Sequence, residues 1–205
     1  MLREFIKQKY IKVGKLVKPG SKVLDIGCNK AEILDFLPNV DYYGVDVNKE
    51  VIKELKQKKL KIYYADLNKD EIKIKTKFDY VLLLDVLEHI VNPKQIIENS
   101  KKLLNPNGFL IVSLPNDYHF LNKLRFLFNK ELFESFKPTG HLHIFPIKKG
   151  KKFLQDNNLT IIKEIELPAT EPRIIPNFIK NMLSRLFPNN FARGILYLTK
   201  VNYKE

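Results

Sequence analysis

Between residues 22 and 115 the chain alternates short apolar runs with segments of helical period. The apolar runs are KVLDI (22–26), DYYGVDV (41–47), LKIYYAD (60–66), FDYVLLLDV (78–86) and FLIVSLP (109–115). Between them AEILDFL (31–37), NKEVIKELKQK (48–58) and PKQIIENSKKLL (93–104) place apolar residues three or four apart, as a helix does when one face packs. A polar loop follows the third run, and NPNG (105–108) reads as a turn. Nearly unbroken apolar strands separated by helices predict a parallel sheet covered on both faces. The expected fold class is α/β, a doubly wound sheet, mostly parallel with an antiparallel last strand. Its ligand belongs beyond the carboxyl ends of the strands.

The flanks are less regular. Residues 1–17 carry an imperfect helical stripe, predicting an N-terminal helix. After Pro115 the rhythm lapses: residues 116–145 are rich in aromatics and contain GHLHIF. A helix (PIKKGKKFLQDN), a strand (LTIIKEIEL), a proline-punctuated stretch (168–190) and a last strand (ARGILYLTKV) follow. With no repeat or linker, residues 1–205 read as one domain, with 116–145 and 168–190 as substrate-side insertions. The single cysteine, Cys28, excludes an internal disulfide. No apolar run approaches the ~20 residues of a membrane span, and the first residues lack a signal-like apolar region, so a cytoplasmic location is expected. The balance of 36 Lys+Arg against 23 Asp+Glu gives +13. Such an excess suits nucleic acid, anionic lipid or an acidic substrate, or merely decorates solvated faces. No arginine-rich tail, RNP-like aromatic motif or zinc-finger spacing is present, which makes nucleic acid the weaker expectation.

The turn after the first strand, DIGCNKAEIL, lacks the dinucleotide fingerprint. Starting at Gly27, the glycine positions of G-x-G-x-x-G hold Gly27, Asn29 and Glu32, and the carboxylate of Glu32 would repel a phosphate. A nucleotide-triphosphate phosphate loop is absent too. Acidic residues instead mark the strand ends: Asp25 in the first, Asp46 in the second, Asp66 in the third and Asp85 in the fourth. Four carboxylates on one sheet edge suit a cationic, phosphate-free adenosine ligand. Asp46 and Asp66 could also cap helices, though their place at consecutive strand ends favours ligand contact, and Cys28 reads as a packing residue.

Taken in order, VLDIGCNKAEIL, YYGVDVN, IYYADLN, FDYVLLLDVLEHI and LLNPNGFLIVSLPN resemble the five motifs of class I S-adenosylmethionine-dependent methyltransferases over roughly residues 20–165. The resemblance implies a Rossmann-like fold and S-adenosylmethionine as cofactor. It implies that Gly27 and Asn29 form the turn beside the methionine part, and that Asp25 orders its amino end. Asp46, followed by Val47, takes the ribose hydroxyls; Asp66 takes the adenine amino group with Leu67 beside the ring; Asp85 lies near the methionine moiety. Asn29 and Ala31 stand where the family has glycines. Asn tolerates positive φ, whereas Ala31 is small but adopts a strained glycine conformation only at a cost.

For chemistry, His141 and His143 in GHLHIF are the first candidates, with His89 of LEH as a substitute; similar G-H-x-H-x-F segments occur in a sugar- and quinone-modifying branch of that family. Alternation at i and i+2 puts both rings on one side of an extended chain. The pair resembles half a metal site, but no third carboxylate or histidine stands at ligand spacing, and no metal is expected. Two histidines ordering a loop, and Glu88–His89 merely starting a helix, are the alternatives. The expected activity is methylation of an oxygen or nitrogen on a small or lipid-linked molecule, with His141 as base. The rivals are RNA methylation and a non-catalytic cofactor-binding module. Two further segments bear on the substrate. In DYHFLNKLRFLFNKELF, Phe120, Leu121, Leu124, Leu127 and Phe128 recur at helical spacing with Lys123, Arg125 and Lys130 between them. In IIPNFIKNMLSRLF, Ile175, Ile179, Met182, Leu183 and Leu186 do the same with Lys180 and Arg185. They are either core helices or basic amphipathic helices that rest on an anionic membrane surface.

Overall fold

A computed structural model describes residues 4–128, 140–169 and 175–202. Helix α1 (Glu4–Gly14) precedes β1 (Lys22–Ile26), and β2 (Asp41–Asp46), α2 (Lys49–Gln57) and β3 (Lys61–Tyr64) follow. Then come β4 (Phe78–Leu84), α3 (Pro93–Leu103) and β5 (Leu104–Pro115). The chain ends with α4 (Phe120–Leu127), α5 (Ile147–Asp156), β6 (Leu159–Pro168), α6 (Asn177–Leu186), α7 (Pro188–Phe191) and β7 (Ala192–Val201). The sheet order is β3-β2-β1-β4-β5-β7-β6. Strands β3 to β5 pair parallel, while β7 runs antiparallel to both β5 and β6. The expected doubly wound, mostly parallel sheet is therefore present. Its order reverses between β1 and β4, which opens a crevice at their carboxyl ends.

Side chains alternate across the strands and feed two cores. Leu24, Ile26, Val81, Leu83, Leu110 and Val112 pack on one face; Val23, Tyr80, Leu82, Ile111 and Leu196 pack on the other. Each such fully buried aliphatic side chain contributes about 1.5–3 kcal/mol. Local signals set the helix starts. Asn48 caps α2 by accepting the N–H groups of Glu50 and Val51, and Asn92 with Pro93 opens α3.

Three local expectations change. The helix predicted over residues 31–37 is a single 3₁₀ segment, Glu32–Phe36, because the left-handed Ala31 on one side and Pro38 on the other leave too little room for α-helix. The NPNG turn lies inside β5, where Leu104 opposes Phe78 and Phe109 opposes Tyr80, so residues 105–108 form an irregularity in the ladder. The segments around α4 and α6 do not bury their apolar stripes. The side chains that α4 and α6 bury are polar, Asn122 and the pair Lys180 and Ser184, while the stripe residues Leu127 (72%), Phe128, Met182 and Leu186 (64%) stand exposed. Lys130 falls outside the described residues.

Both helices sit at the crevice edge. Helix α4 follows the carboxyl end of β5, and α6 and α7 connect the end of β6 to the start of β7, which pairs with Pro115. Asn116 ties them together: its side-chain amide donates to the carbonyls of Asn189 (3.2 Å) and Ala192 (2.8 Å). Phe120 stacks on Phe191 at 6.0 Å.

Candidate active site

The turn after β1 is built by backbone hydrogen bonds to the end of β2. Gly27 N–H and Cys28 N–H both donate to Val45 O (2.8 and 3.0 Å), and Asn29 N–H donates to Asp46 Oδ2 (2.8 Å). Gly27 has φ +77°, and a Cβ there would meet Val86 Cγ2 at 2.8 Å, so glycine is required twice over. Asn29 and Ala31 also take positive φ, 44° and 55°. The glycine-type backbone is thus retained without the glycines. Asp46 Oδ1 accepts Asn48 N–H (2.9 Å), and the cap of α2 is Asn48, not Asp46. Val47 follows, half exposed at the same edge.

Asp66 does not cap a helix either. Its carboxylate accepts Asn68 N–H and pairs with Lys69 at 3.2 Å, which together hold it below the usual carboxylate range. The loop is joined to the rest of the edge by Ala65 N–H to Asp46 O (3.1 Å) and by Val91 N–H to Asn68 Oδ1 (2.8 Å). Leu67 packs partly into the core. Asp25 differs from the others: it is buried and accepts the Tyr42 hydroxyl at 2.9 Å. Burial raises its pKa to about 7; Tyr42 opposes that rise, Asp46 adds to it and Lys9 opposes it.

Asp85 stands just beyond β4 in a left-handed conformation (φ 55°). Its carboxylate pairs with the buried ammonium of Lys9 from α1 and accepts the Ser113 hydroxyl, while its N–H donates to Ser113 Oγ (2.9 Å). Burial alone would raise its pKa, but Lys9, Ser113 and His141 outweigh that and hold it low. Lys9, Ser113 and Asp117 escape the sequence reading. Lys9 gives no local signal among so many lysines. Asp117 follows the rule used for the other carboxylates, an acid just past a strand end, and was legible on that ground.

After Asp85 the chain makes a single 3₁₀ turn, Leu87–His89. The GHLHIF segment docks on it through backbone: Leu142 N–H and His143 N–H donate to Glu88 O (2.7 and 3.1 Å). This docking brings the His89 and His141 rings to 5.1 Å, edge to face. His89 Nδ1 is 3.2 Å from Gly140 O, and His141 Nδ1 is 2.9 Å from Asp117 Oδ2. His143 and Phe145 also turn inward while Leu142 and Ile144 are exposed, so the predicted alternation holds. His143, however, lies against Phe145 and its Nε2 is buried without a hydrogen-bond partner. Glu88 is fully buried, both carboxylate oxygens lack hydrogen-bond partners, and burial together with Asp85 drives its pKa well up. The absence of a third ligand near His141 holds only along the chain; the fold supplies Glu88 and His89 from another loop.

A family model for a methyltransferase domain matches residues 2–164. This chain belongs to the class I S-adenosylmethionine-dependent methyltransferases. The methyltransferase is 32% identical over 101 residues to a ubiquinone biosynthesis O-methyltransferase from Pelagibacter ubique, covering 46% of this chain and 42% of that relative. The chain spans about half the length of the curated relatives it matches. Among solved structures, a S-adenosylmethionine-dependent methyltransferase from Methanosarcina mazei has the same fold (TM-score 0.63, 17% identity, 99% of each chain). So does magnesium protoporphyrin IX methyltransferase from Synechocystis, solved with S-adenosylhomocysteine (TM-score 0.62, 20% identity, 96% of this chain and 84% of that one). The methyltransferase uses S-adenosylmethionine, and the donor set at this edge fits a cationic, phosphate-free nucleoside: carboxylates at three strand ends, an exposed glycine turn and an exposed apolar Val47.

The buried Asp25 makes stability pH-dependent. Its folded pKa of about 7 lies above the ~3.9 of an unfolded Asp. The folded state therefore binds the proton more tightly. That contribution is fully present below about pH 4 and is lost as pH rises through about 7. Asp25→Asn keeps an acceptor for Tyr42 and cannot ionise. Urea unfolding at pH 4, 5.5 and 7.5 should show the variant gaining on the native chain with rising pH, by on the order of 3 kcal/mol in total. Parallel pH curves for the two proteins would mean that Asp25 does not titrate in this range.

Proposed function

We propose that the methyltransferase transfers a methyl group to a hydroxyl oxygen of a small or lipid-linked molecule. The observation that carries the reading is the His141–Asp117 pair set against His89 at the carboxyl end of β4. A carboxylate that accepts the Nδ1 proton fixes the imidazole tautomer and puts the ring's lone pair on Nε2, the arrangement suited to acting on an acceptor's hydroxyl. The bound cofactor supplies an electrophilic methyl carbon on a sulfonium. The protein's work is then alignment of the acceptor and disposal of one proton. Gly27 and Asn29 form the turn against the methionine part, and Asp25 orders that turn from below. Asp46 accepts the ribose hydroxyls with its remaining lone pairs, Val47 and Leu67 flank the adenine, Asp66 accepts its amino group, and Asp85 faces the methionine ammonium. The oxygen acceptor is supported by the likeness to ubiquinone biosynthesis O-methyltransferases. The lipid-linked alternative draws on the exposed apolar residues of α4 and α6 at the crevice edge, interspersed with Lys123 and Arg185. Among the described residues no helix is long and apolar enough to cross a membrane, so contact would be with a surface.

The acceptor class is tested by a labelled-methyl assay against cell extract divided into RNA, lipid and small-molecule fractions. Label should enter the lipid or small-molecule fraction as a base-stable ether. Label confined to RNA would replace this reading with RNA methylation, and no transfer despite cofactor binding would favour a non-catalytic module.

Asp46→Ala should weaken S-adenosylhomocysteine binding by about 1.5–3 kcal/mol, the scale of hydrogen bonds to a charged group. Titration calorimetry on a variant with native circular dichroism measures it, and unchanged affinity removes Asp46 from the ribose.

Vesicles of anionic lipid should pull the protein down at low salt and release it at about 1 M salt, where the Debye length shrinks to ~3 Å. Protein that stays in the supernatant at low salt leaves a soluble acceptor as the substrate.

A further inference from the structure

Glu88 is the least expected group in the molecule. A fully buried carboxylate normally finds a hydrogen-bond donor, because leaving it unpaired costs several kcal/mol. Here neither oxygen has one. One ligand atom each from Glu88, His89 and His141 lies within 4.8 Å of the others. The carbonyl of Gly140 can only accept, so His89 carries its proton on Nδ1; Asp117 imposes the same tautomer on His141. In both rings the lone pair is therefore on Nε2. A carboxylate or carbonyl holding the far ring nitrogen is the usual support of a metal-ligating histidine.

We propose that Glu88, His89 and His141 bind one divalent cation, with Asp117 and Gly140 O orienting the two imidazoles. Two imidazoles and one carboxylate suit first-row transition ions from Mn²⁺ to Zn²⁺ better than Mg²⁺ or Ca²⁺, which take mostly oxygen donors. Three protein ligands leave coordination positions for an acceptor oxygen. This deepens the hydroxyl-methylation reading and rests on it, but changes how the hydroxyl is activated. The cation lowers the pKa of the hydroxyl it touches, and that proton passes to solvent. An oxygen lone pair then forms the new C–O bond while the C–S bond breaks with its electrons left on sulfur. The products are a methyl ether, S-adenosylhomocysteine and one proton.

The probe is Co²⁺ added to protein stripped with chelator, followed by visible absorption and calorimetry. One equivalent should bind with d–d bands typical of nitrogen and oxygen donors, and should raise the melting temperature. Glu88→Gln, which removes the ionisable ligand oxygen and keeps the shape, should lose both effects, and Asp117→Asn should weaken binding ~10–100-fold. S-adenosylhomocysteine affinity, measured on the same samples, should stay within about twofold of native in both variants, which separates this site from the cofactor reading. Absence of saturable one-to-one binding, or binding that survives both Glu88→Gln and His141→Asn, overturns the proposal. Mn²⁺ or Zn²⁺, but not Mg²⁺, should then restore methyl transfer to the stripped enzyme; full activity in excess chelator also overturns it.

Discussion

The contact on which the functional edge depends is the carboxylate of Asp85. Three separate pieces of chain meet there: Lys9 from α1, Ser113 from β5 and the end of β4 itself. The left-handed backbone at Asp85 turns the chain out of the sheet, a conformation that costs about 1–2 kcal/mol outside glycine. The bonds to Ser113 and Lys9 offset that cost. With the carboxylate side chain about a third exposed, solvent screens part of the ion pair, so its net worth is well below that of a fully buried pair. Its main consequence is geometric. The exit direction of β4 sets where the Glu88–His89 turn lies, and that turn is what the GHLHIF segment docks on. The same lysine also ties α1 to this edge, where burial first, and then Asp25, Glu32 and Asp85, raise the pKa of Tyr10.

A chain of net charge +13 thus concentrates acids at one edge, and their environments push them apart. Asp85 is held low by Lys9 against its own burial, Asp25 is raised by burial despite the Tyr42 hydrogen bond, and Glu88 is raised by burial and by Asp85. Separation of this kind assigns different work to like groups. An ionised Asp85 suits a positively charged ligand. Asp25, close to Asp46 and shielded from solvent, is held instead by the Tyr42 hydroxyl.

The sheet was legible because its signal is local. Apolar runs such as VLL in β4 and LIVS in β5 are buried on both faces, and their unbroken apolar character reports that. The acids at strand ends were legible once the topology was assumed, since a doubly wound sheet carries them to one edge. What remained hidden depends on pairs distant in sequence. Lys9 and Asp85 are 76 residues apart, and His89 meets the Gly140 carbonyl across 51. Nothing in LEH or GHLH alone says that the two turns stack. The exposure of Leu127 and Leu186 was undecidable for a related reason: an amphipathic stripe has the same period whether it faces a core or an interface.

The turn after β1 shows what the glycine pattern encodes. The family glycines at positions 29 and 31 are replaced, yet both residues adopt positive φ. For Asn29 the strain is small, because Asn visits that region several-fold more often than most residues. For Ala31 it is about 1–2 kcal/mol, since its Cβ crowds the following carbonyl. Compensation comes from the bonds that close the turn: Ala31 N–H to Cys28 O at 2.8 Å and Asn29 N–H to Asp46. Burial of the Ala31 methyl adds somewhat less than 1 kcal/mol. Gly27 has no such latitude, because Val86 occupies the space its Cβ would need. Only the position with both a positive φ and a steric ceiling has kept its glycine. The other two have kept the conformation, and it is the conformation that shapes this edge of the sheet.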